Sequence, residues 1–172
     1  MKVVVLMGSA CRQGHTAHMV EAFAEGARTA GHEVTVFEVA NMDIHGCRGC
    51  EWCHTRGNGT CIQKDDMGQI LDVWNQMDVL VLASPVYYGS ISGQLACALH
   101  RTYALGVPRR CTRTALLLSS GARGVYDAST SIYRGFVQGY FGTEDLGVYT
   151  AVGAEAQRPA MRRQLFDLGR SL

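Results

Sequence analysis

The chain has 172 residues, of which 47% are hydrophobic, and its 16 basic and 15 acidic residues leave a net charge of +1. That length fits one domain, residues 1–172, with enough apolar side chains for a substantial buried core. Proteins that bind nucleic acids or membrane surfaces carry a basic excess, which this chain lacks. We therefore expect neither a nucleic-acid partner nor a membrane partner.

The first residues show no export signal. Lys2 is the only charged side chain among the first eight residues, and the apolar run around it is too short for a signal peptide. No later stretch is long and apolar enough for a membrane span. We therefore expect a cytoplasmic protein whose thiols stay reduced. The seven cysteines are also an odd number, which leaves at least one unpaired in any disulfide framework.

Apolar strand patterns alternate with helical patterns along the whole chain. Continuous apolar runs are typical of strands buried on both faces, and they predict strands at 2–7, 78–84 and 114–119. Alternating apolar and polar residues predict a strand at 32–39, and residues 146–152 are predicted as the fifth strand. Apolar residues at helical spacing predict helices that begin near residues 16, 65, 91, 132 and 161. This alternation indicates an α/β fold with a parallel sheet and helices on both faces.

The segment between the first strand and the first helix, residues 8–16, is small and rich in hydroxyl groups. In open α/β sheets, ligands bind beyond the carboxyl ends of the strands. A helix N-terminus at that place favours a phosphate. The segment is neither a P-loop, since His15 stands where a lysine would be needed, nor a G-x-G-x-x-G motif. It predicts either one phosphate held by amides, Ser9, Thr16 and Arg12 or His15, or an ordinary turn capped by Thr16.

Two further loops follow the third and fourth strands. Residues 85–90 set Tyr87 and Tyr88 beside a proline and a glycine. Aromatic rings and a rigid backbone suit a flat heterocycle with polar edges, although the two tyrosines could equally pack on each other. Residues 119–124 offer backbone amides at the matching place after the fourth strand.

Four of the seven cysteines fall in residues 44–64, with the spacing C-x2-C-x2-C-x7-C. Four thiolates suit soft metals. Zinc sites usually separate two C-x2-C pairs, whereas three closely spaced cysteines with a nearby fourth are typical of a [4Fe–4S] cluster. Zinc and an empty loop, with thiols that are free, disulfide-bonded or used in a dimer contact, remain alternatives. The candidate ligands are Cys47, Cys50, Cys53 and Cys61.

Together these motifs resemble the flavodoxin-like NADPH-dependent FMN reductases, and within them the iron–sulfur flavoproteins. The resemblance covers essentially the whole chain. It is carried by Gly8-Ser9-x-x-Arg12-x-Gly14-His15-Thr16, by Ser84-Pro85-Val86-Tyr87-Tyr88-Gly89, and by the cysteine loop that ends in Lys64-Asp65-Asp66-Met67. It implies a flavodoxin-like, three-layer, doubly wound fold with five parallel strands in the order 2-1-3-4-5. His15 departs from many relatives, which have an asparagine before the threonine.

The resemblance also implies the cofactor FMN and the residues that bind it. The phosphate would lie on residues 9–16, and the isoalloxazine ring would lie between residues 85–89 and residues 119–121. The predicted FMN-binding residues are Ser9, Arg12, Gly14, His15, Thr16, Pro85, Val86, Tyr87, Tyr88, Gly89, Ser119, Ser120 and Gly121. Because the cysteine loop follows the second strand, we expect it at the same edge of the sheet as FMN.

These features predict an FMN-dependent redox protein that passes electrons between a donor, NAD(P)H or ferredoxin, and FMN through a [4Fe–4S] cluster. No catalytic side chain is required, because the flavin carries the chemistry. Alternatives are an NAD(P)H-dependent FMN or quinone reductase without a cluster, a non-redox metal-binding or regulatory module, and a flavodoxin-type electron carrier. A carrier usually has a strongly acidic surface. We also expect a homodimer or larger homo-oligomer, because a neighbour often completes a flavin site that opens at strand ends.

Overall fold

The computed structural model describes residues 1–172 and contains one six-stranded sheet. Its strands are β1 (Lys2–Met7), β2 (Glu33–Phe37), β3 (Val79–Tyr87), β4 (Ser90–Ile91), β5 (Arg113–Ser120) and β6 (Glu144–Val152). The five long strands are all parallel and lie in the order β2-β1-β3-β5-β6. Counted without the two-residue β4, this is the predicted order 2-1-3-4-5, which is confirmed.

The helices follow the predicted alternation with the strands. They are α1 (His15–Thr29), α2 (Trp52–Thr55), α3 (Met67–Trp74), α4 (Gly93–Arg101), α5 (Asp127–Ile132), α6 (Gly139–Phe141) and α7 (Pro159–Arg170). A π-helix, Tyr133–Gln138, joins α5 to α6, so the predicted helix in this region is present but wound irregularly. None of the helices combines the length and the apolar character needed to cross a membrane.

Both faces of the central strands β1, β3 and β5 are buried, which explains their continuous apolar runs. Along β1, Val4 and Leu6 belong to one core, and Val3, Val5 and Met7 belong to the other. The first core is covered by α3, α4 and the helical segment around the π-helix, and the second by α1 and α7. The three-layer architecture is therefore confirmed. The assignment of residues 1–172 to a single domain stays a prediction.

The short strand β4 was not predicted, because residues 85–90 were expected to form a loop. Instead, β3 continues through Tyr87 and pairs antiparallel with β4. The turn between them is made by Tyr88 and Gly89, whose φ angles are +50° and +78°. Two successive positive φ angles are typical of a type I′ hairpin, which usually carries Asn-Gly or Asp-Gly. Because tyrosine is unusual in the first position of such a turn, the sequence did not predict this hairpin.

Candidate functional site

A cavity of about 380 Å³ opens at the carboxyl ends of β1, β3 and β5. This volume lies in the range of small-molecule sites, roughly 300–1,000 Å³. The cavity is lined by Ser9, Cys11, Gly14, His15, Thr16, Pro85, Val86, Tyr87, Ser119, Ser120, Gly121 and Gly153. The structure thus brings together all of the predicted FMN-binding residues except Arg12, Tyr88 and Gly89.

The start of α1 forms one wall of the cavity. Gly14 is the N-cap residue in an extended conformation (φ −83°, ψ 176°), and no side chain accepts a hydrogen bond from the first N–H groups. Thr16 does not cap the helix, so the alternative of an ordinary capped turn is not observed. The free N–H groups and the positive end of the helix dipole suit an anion such as a phosphate.

A buried pair of hydroxyl groups joins two walls of the cavity. Thr16 is almost fully buried, and its Oγ1 lies 2.7 Å from Oγ of Ser119 at the end of β5. Beyond Ser119, the Ser120 hydroxyl donates to the carbonyl of Ala122 at 2.6 Å and lies 2.7 Å from the Tyr126 hydroxyl. These bonds fix the exit loop of β5 against the start of α1 before any ligand binds.

The third wall is the hairpin of β3 and β4. The Ser92 N–H donates to Oγ of Ser84 at 2.8 Å, which ties the two ends of the hairpin together. Gly8, just after β1, lies so close to the start of α4, which follows this hairpin, that an added Cβ would collide with Ser92 and lie 2.8 Å from the Leu95 Cβ. Glycine at position 8 therefore allows the first loop to pack directly on the third wall.

Two predicted residues of this hairpin lie at the turn rather than in the cavity. Tyr88 and Gly89 form the turn itself, and the Tyr88 side chain is fully exposed. A positive φ at a tyrosine is uncommon and carries strain. Tyr87, which does line the cavity, is also more than half exposed. The two tyrosines thus form an exposed aromatic rim beside the cavity.

Arg12 is directed away from the cavity. Its Nε lies 2.9 Å from Oε2 of Glu38, and 72% of its side chain is exposed. Two cavity residues, Cys11 and Gly153, were not predicted to bind FMN. Cys11 lies inside the predicted phosphate loop, so its position could have been inferred from neighbouring residues. Gly153 follows β6 and is brought in only by the sheet order, which no local pattern signals.

The base of the cysteine loop is closed by a buried ion pair between α4 and the residue after the loop. Nη1 and Nη2 of Arg101 donate to the Asp65 carboxylate at 2.6 and 3.0 Å. Nη1 also donates to the carbonyl of His45 at 2.9 Å, and the His45 N–H donates to Asp65 at 3.2 Å. Burial alone would raise the pKa of Asp65, but the hydrogen bonds from Arg101 and His45 lower it to about 2.

The tip of the cysteine loop packs on the residues that follow α4. Two residues of the tip contact Tyr103: His54, which lies in α2, and Glu51, which lies just before it. Nε2 of His54 lies 2.8 Å from the Tyr103 carbonyl, and the Tyr103 hydroxyl donates to the Glu51 carboxylate at 3.2 Å. Cys47 lines a separate apolar cavity with Tyr103 and Tyr140, among others. The loop therefore contacts the C-terminal end of α4.

The expected position of the cysteine loop, at the same edge of the sheet as FMN, stays a prediction. The loop begins near the carboxyl ends of the strands, passes Cys97 in the middle of α4 and contacts the residues at the C-terminal end of that helix. The nine residues of α4 span about 13 Å at the usual helical rise. The predicted FMN cavity shares no lining residue with the cavity that contains Cys47 or with the cavity that contains Cys61.

The four loop cysteines supply the donor set of a cluster without its assembled geometry. All seven cysteines of the chain are free thiols; Cys47 and Cys50 are exposed, and Cys53 and Cys61 are half-buried. Burial is the main cause that raises the pKa of Cys53, and the neighbouring Cys61 adds to it. No three His, Cys, Asp or Glu side chains converge as a metal ion requires. The loop would have to close for four sulfurs to bind one cluster.

Curated relatives of the chain are iron–sulfur flavoproteins. One from Archaeoglobus fulgidus is 31% identical over 106 residues, which cover 62% of this chain and 47% of the relative. One from Methanocaldococcus jannaschii is 31% identical over 107 residues, which cover 62% of this chain and 54% of the relative. The chain spans about half the length of these relatives.

Solved structures with the same fold include oxidoreductases, and residues 1–131 match a family model. An NAD(P)H:quinone oxidoreductase from Methanothermobacter marburgensis has a TM-score of 0.69 and 17% identity, covering 99% of this chain and 93% of that one. An FMN-dependent NADH-azoreductase from Bacillus anthracis has a TM-score of 0.68 and 12% identity, covering 99% and 96%. At these identities the likeness shows the flavodoxin-like fold. The matching family model is that of the NADPH-dependent FMN reductases. Because it covers well over half of the chain, the chain belongs to that family, as the resemblance predicted.

Proposed function

We propose that the chain is an FMN-dependent oxidoreductase that binds FMN in the cavity at the carboxyl ends of β1, β3 and β5. This proposal rests on the uncapped start of α1. Together with the β3–β4 hairpin and the β5 exit loop, it lines a cavity whose size suits a flavin. Membership of the NADPH-dependent FMN reductase family supports the choice of ligand.

The phosphate of FMN fits the start of α1. The uncapped N–H groups there, with the helix dipole, favour an anion, and the Thr16 and Ser9 hydroxyls add neutral donors. The guanidinium of Arg12 is not needed for this arrangement, because it pairs with Glu38 outside the cavity. His15 lines the cavity but is exposed, so its contribution would be made at the rim.

The isoalloxazine ring fits between the hairpin wall and the β5 exit loop. Pro85, Val86 and Tyr87 offer a rigid apolar edge, and residues 119–121 offer small side chains and backbone amides on the other side. Bound FMN supplies the redox chemistry of the site. The protein's task is to hold the ring against fixed walls that the Thr16–Ser119 and Ser84–Ser92 bonds keep in place.

We further propose that Cys47, Cys50, Cys53 and Cys61 hold a [4Fe–4S] cluster as a second redox centre. Four closely spaced thiols fit that donor set, and relatives named iron–sulfur flavoproteins support it. A cluster exchanges single electrons, so it would relay electrons between FMN and a one-electron partner such as ferredoxin, whereas NAD(P)H as donor would deliver its hydride to FMN directly. A cytoplasmic location would keep these thiols reduced.

A homodimer or larger homo-oligomer is part of the proposal. The cavity is open, its rim carries the exposed Tyr87 and Tyr88, and the cysteine loop of the same chain contacts the C-terminal end of α4. A second copy could cover the rim and bring the two redox centres together. Light scattering should therefore show more than one chain per particle; a monomer with fully bound FMN would contradict this.

The second candidate function is an NAD(P)H-dependent FMN or quinone reductase without a cluster. It is favoured by the four loop thiols, which do not converge on one point, and by the similar folds of a quinone oxidoreductase and an azoreductase. The same cavity would bind FMN in both cases. The two functions differ only in what the cysteine loop holds.

Anaerobic purification followed by cofactor analysis separates the two functions. The proposed function predicts one FMN together with about four iron atoms and four acid-labile sulfides per chain. Zinc, or no metal after anaerobic handling, would leave the cluster-free reductase. Stopped-flow mixing with NADPH then identifies the donor, because rapid bleaching of the flavin indicates a pyridine nucleotide. An unchanged flavin spectrum would indicate a ferredoxin-type donor.

A further inference from the structure

Arg101 is a buried cation with one hydrogen-bond donor left over. Only 1% of its side chain is exposed. Nη1 and Nη2 are occupied by the Asp65 carboxylate and the His45 carbonyl, as described above. Its Nε is also buried but has no hydrogen-bond partner. Buried polar groups are nearly always paired, so an unpaired N–H of a charged side chain indicates an acceptor that is not yet in place.

A candidate for that acceptor is the sulfur of Cys61. Arg101 and Cys61 line the same cavity of about 290 Å³ beneath the cysteine loop. The Cys61 side chain is also close enough to the guanidinium to interact with it electrostatically. The guanidinium keeps its charge at any ordinary pH, because arginine is not deprotonated in proteins, so it presents a permanent positive charge to the cavity that Cys61 lines.

Asp65 fixes the orientation of the Arg101 guanidinium. Two parallel hydrogen bonds between a guanidinium and a carboxylate hold the guanidinium plane in one orientation. With both Nη groups held, only the Nε edge is free to face another acceptor. Lysine in this position would keep the charge but not this fixed N–H direction.

We propose that Arg101 is a positioning residue for the second redox centre, donating a hydrogen bond from Nε to the Cys61 sulfur when that sulfur binds the cluster. The inference rests on the proposed [4Fe–4S] site. Hydrogen bonds to the sulfurs and nearby charge set the reduction potential of iron–sulfur clusters. A fixed positive charge stabilises the reduced, more negative form, so Arg101 raises the potential of the cluster.

The test is a mediated redox titration of the full chain, prepared anaerobically and followed by the EPR signal of the reduced cluster. Arg101→Gln should shift the cluster equilibrium toward the oxidised form by about tenfold, which is ~59 mV for a one-electron couple. Arg101→Lys should give a smaller shift in the same direction. Asp65→Asn should shift it the opposite way, because a negative charge is removed and Arg101 remains.

Arg110→Gln is the matched control. Arg110 also pairs with an aspartate, Asp78, at 2.9 Å, but 62% of its side chain is exposed and it lies outside the cavity of Cys61. The potential of this variant should equal that of the wild type. FMN content provides an internal control for every variant, because the proposed FMN cavity shares no residue with the cavity of Arg101.

Arg101→Gln leaves Asp65 buried without its partner and could fail to fold. The double variant Arg101→Gln/Asp65→Asn removes both charges and replaces them with neutral hydrogen-bonding groups. The reduction potential of its cluster should be lower than that of Asp65→Asn alone. The difference should equal the amount by which Arg101→Gln lowers the potential of the wild type. This comparison keeps the inference testable if the single variant is lost.

The outcomes separate this inference from the proposed function. Variants that bind less iron but keep the wild-type potential in the remaining clusters would show a merely structural role, and the inference would be wrong. Opposite shifts for Arg101→Gln and Asp65→Asn would support it. A wild-type chain that holds no iron and sulfide would overturn the proposed cluster, and the inference with it.

Discussion

The FMN cavity and the cysteine loop are two candidate cofactor sites that are prepared to very different degrees. The cavity is made where β1, β3 and β5 end, and its walls are joined by the Thr16–Ser119 and Ser84–Ser92 hydrogen bonds. The cysteine loop is tied down at its base by Arg101 and at its tip by Tyr103, but two of its four thiols are exposed and no three converge.

The difference shows what the fold supplies by itself. Secondary structure and sheet order create the cavity before any ligand binds, so FMN binding should not depend on the cysteines. The loop supplies a donor set and an anchored base, and the remaining closure must come from the metal centre itself. Changes in the two sites should therefore have separate effects, the largest of them on the iron content.

The largest effect is expected from the loop cysteines. Cys50→Ala or Cys53→Ala should lower the iron content of anaerobically prepared protein from about four atoms per chain to below one. FMN affinity should stay within about twofold of the wild type, which is well under 1 kcal/mol. Iron analysis and flavin titration measure both. Cys111→Ala is the control, because Cys111 is buried just before β5 and lines neither cavity that contains a loop cysteine, so both values should stay unchanged.

A polar change in the cavity should act on FMN alone. Thr16→Val keeps the side-chain shape but removes the hydroxyl that lies 2.7 Å from Ser119. Hydrogen bonds to charged groups contribute about 1.5–3 kcal/mol, so FMN affinity should fall by about 10- to 100-fold. Iron content should not change. Thr29→Val, at the far end of α1, is the control; equal losses in both variants would disprove a phosphate site at Thr16.

The buried ion pair should make stability depend on pH. The pKa of Asp65 is lowered from 3.8 to about 2 in the folded chain, so the unfolded chain binds the proton more readily. The resulting stabilisation, roughly 2 kcal/mol, is fully present above about pH 4 and is lost as the pH falls toward 2. Urea unfolding of apoprotein should show that Asp65→Asn is less stable than the wild type at pH 7, with a smaller difference at pH 3.

The control for this pH dependence is an exposed pair. Asp167 lies 3.1 Å from Arg170, and half of the Asp167 side chain is exposed. Asp167→Asn should change the free energy of unfolding by less than about 1 kcal/mol at either pH. A difference for Asp65→Asn that stayed constant from pH 7 to pH 3 would mean that its carboxylate is not held ionised by Arg101.

The smallest effect is expected for Arg12, which the sequence analysis included among the phosphate ligands. Arg12→Ala removes an exposed pair with Glu38, and such pairs contribute about 0–1 kcal/mol to stability. FMN affinity should change by less than about threefold. This is about half of the 1.4 kcal/mol that a tenfold change in affinity represents. A tenfold loss in a flavin titration would show that Arg12 turns into the cavity when FMN binds.

Local patterns predicted the sheet and most of the cavity, because strands buried on both faces leave continuous apolar runs and α1 starts directly after β1. The β3–β4 hairpin was missed because Tyr88 occupies a turn position that usually carries asparagine or aspartate. The path of the cysteine loop depends on contacts of Arg101 and Tyr103 with residues more than 30 positions away. Such contacts leave no periodic signal.

A crystal structure of the anaerobically prepared chain with FMN tests the central claim most directly. We expect the FMN phosphate within hydrogen-bond distance of the free N–H groups at the start of α1 and of the Thr16 hydroxyl. The ring should lie between residues 85–87 and residues 119–121. FMN bound elsewhere, or a phosphate held by Arg12 outside the cavity, would contradict the account.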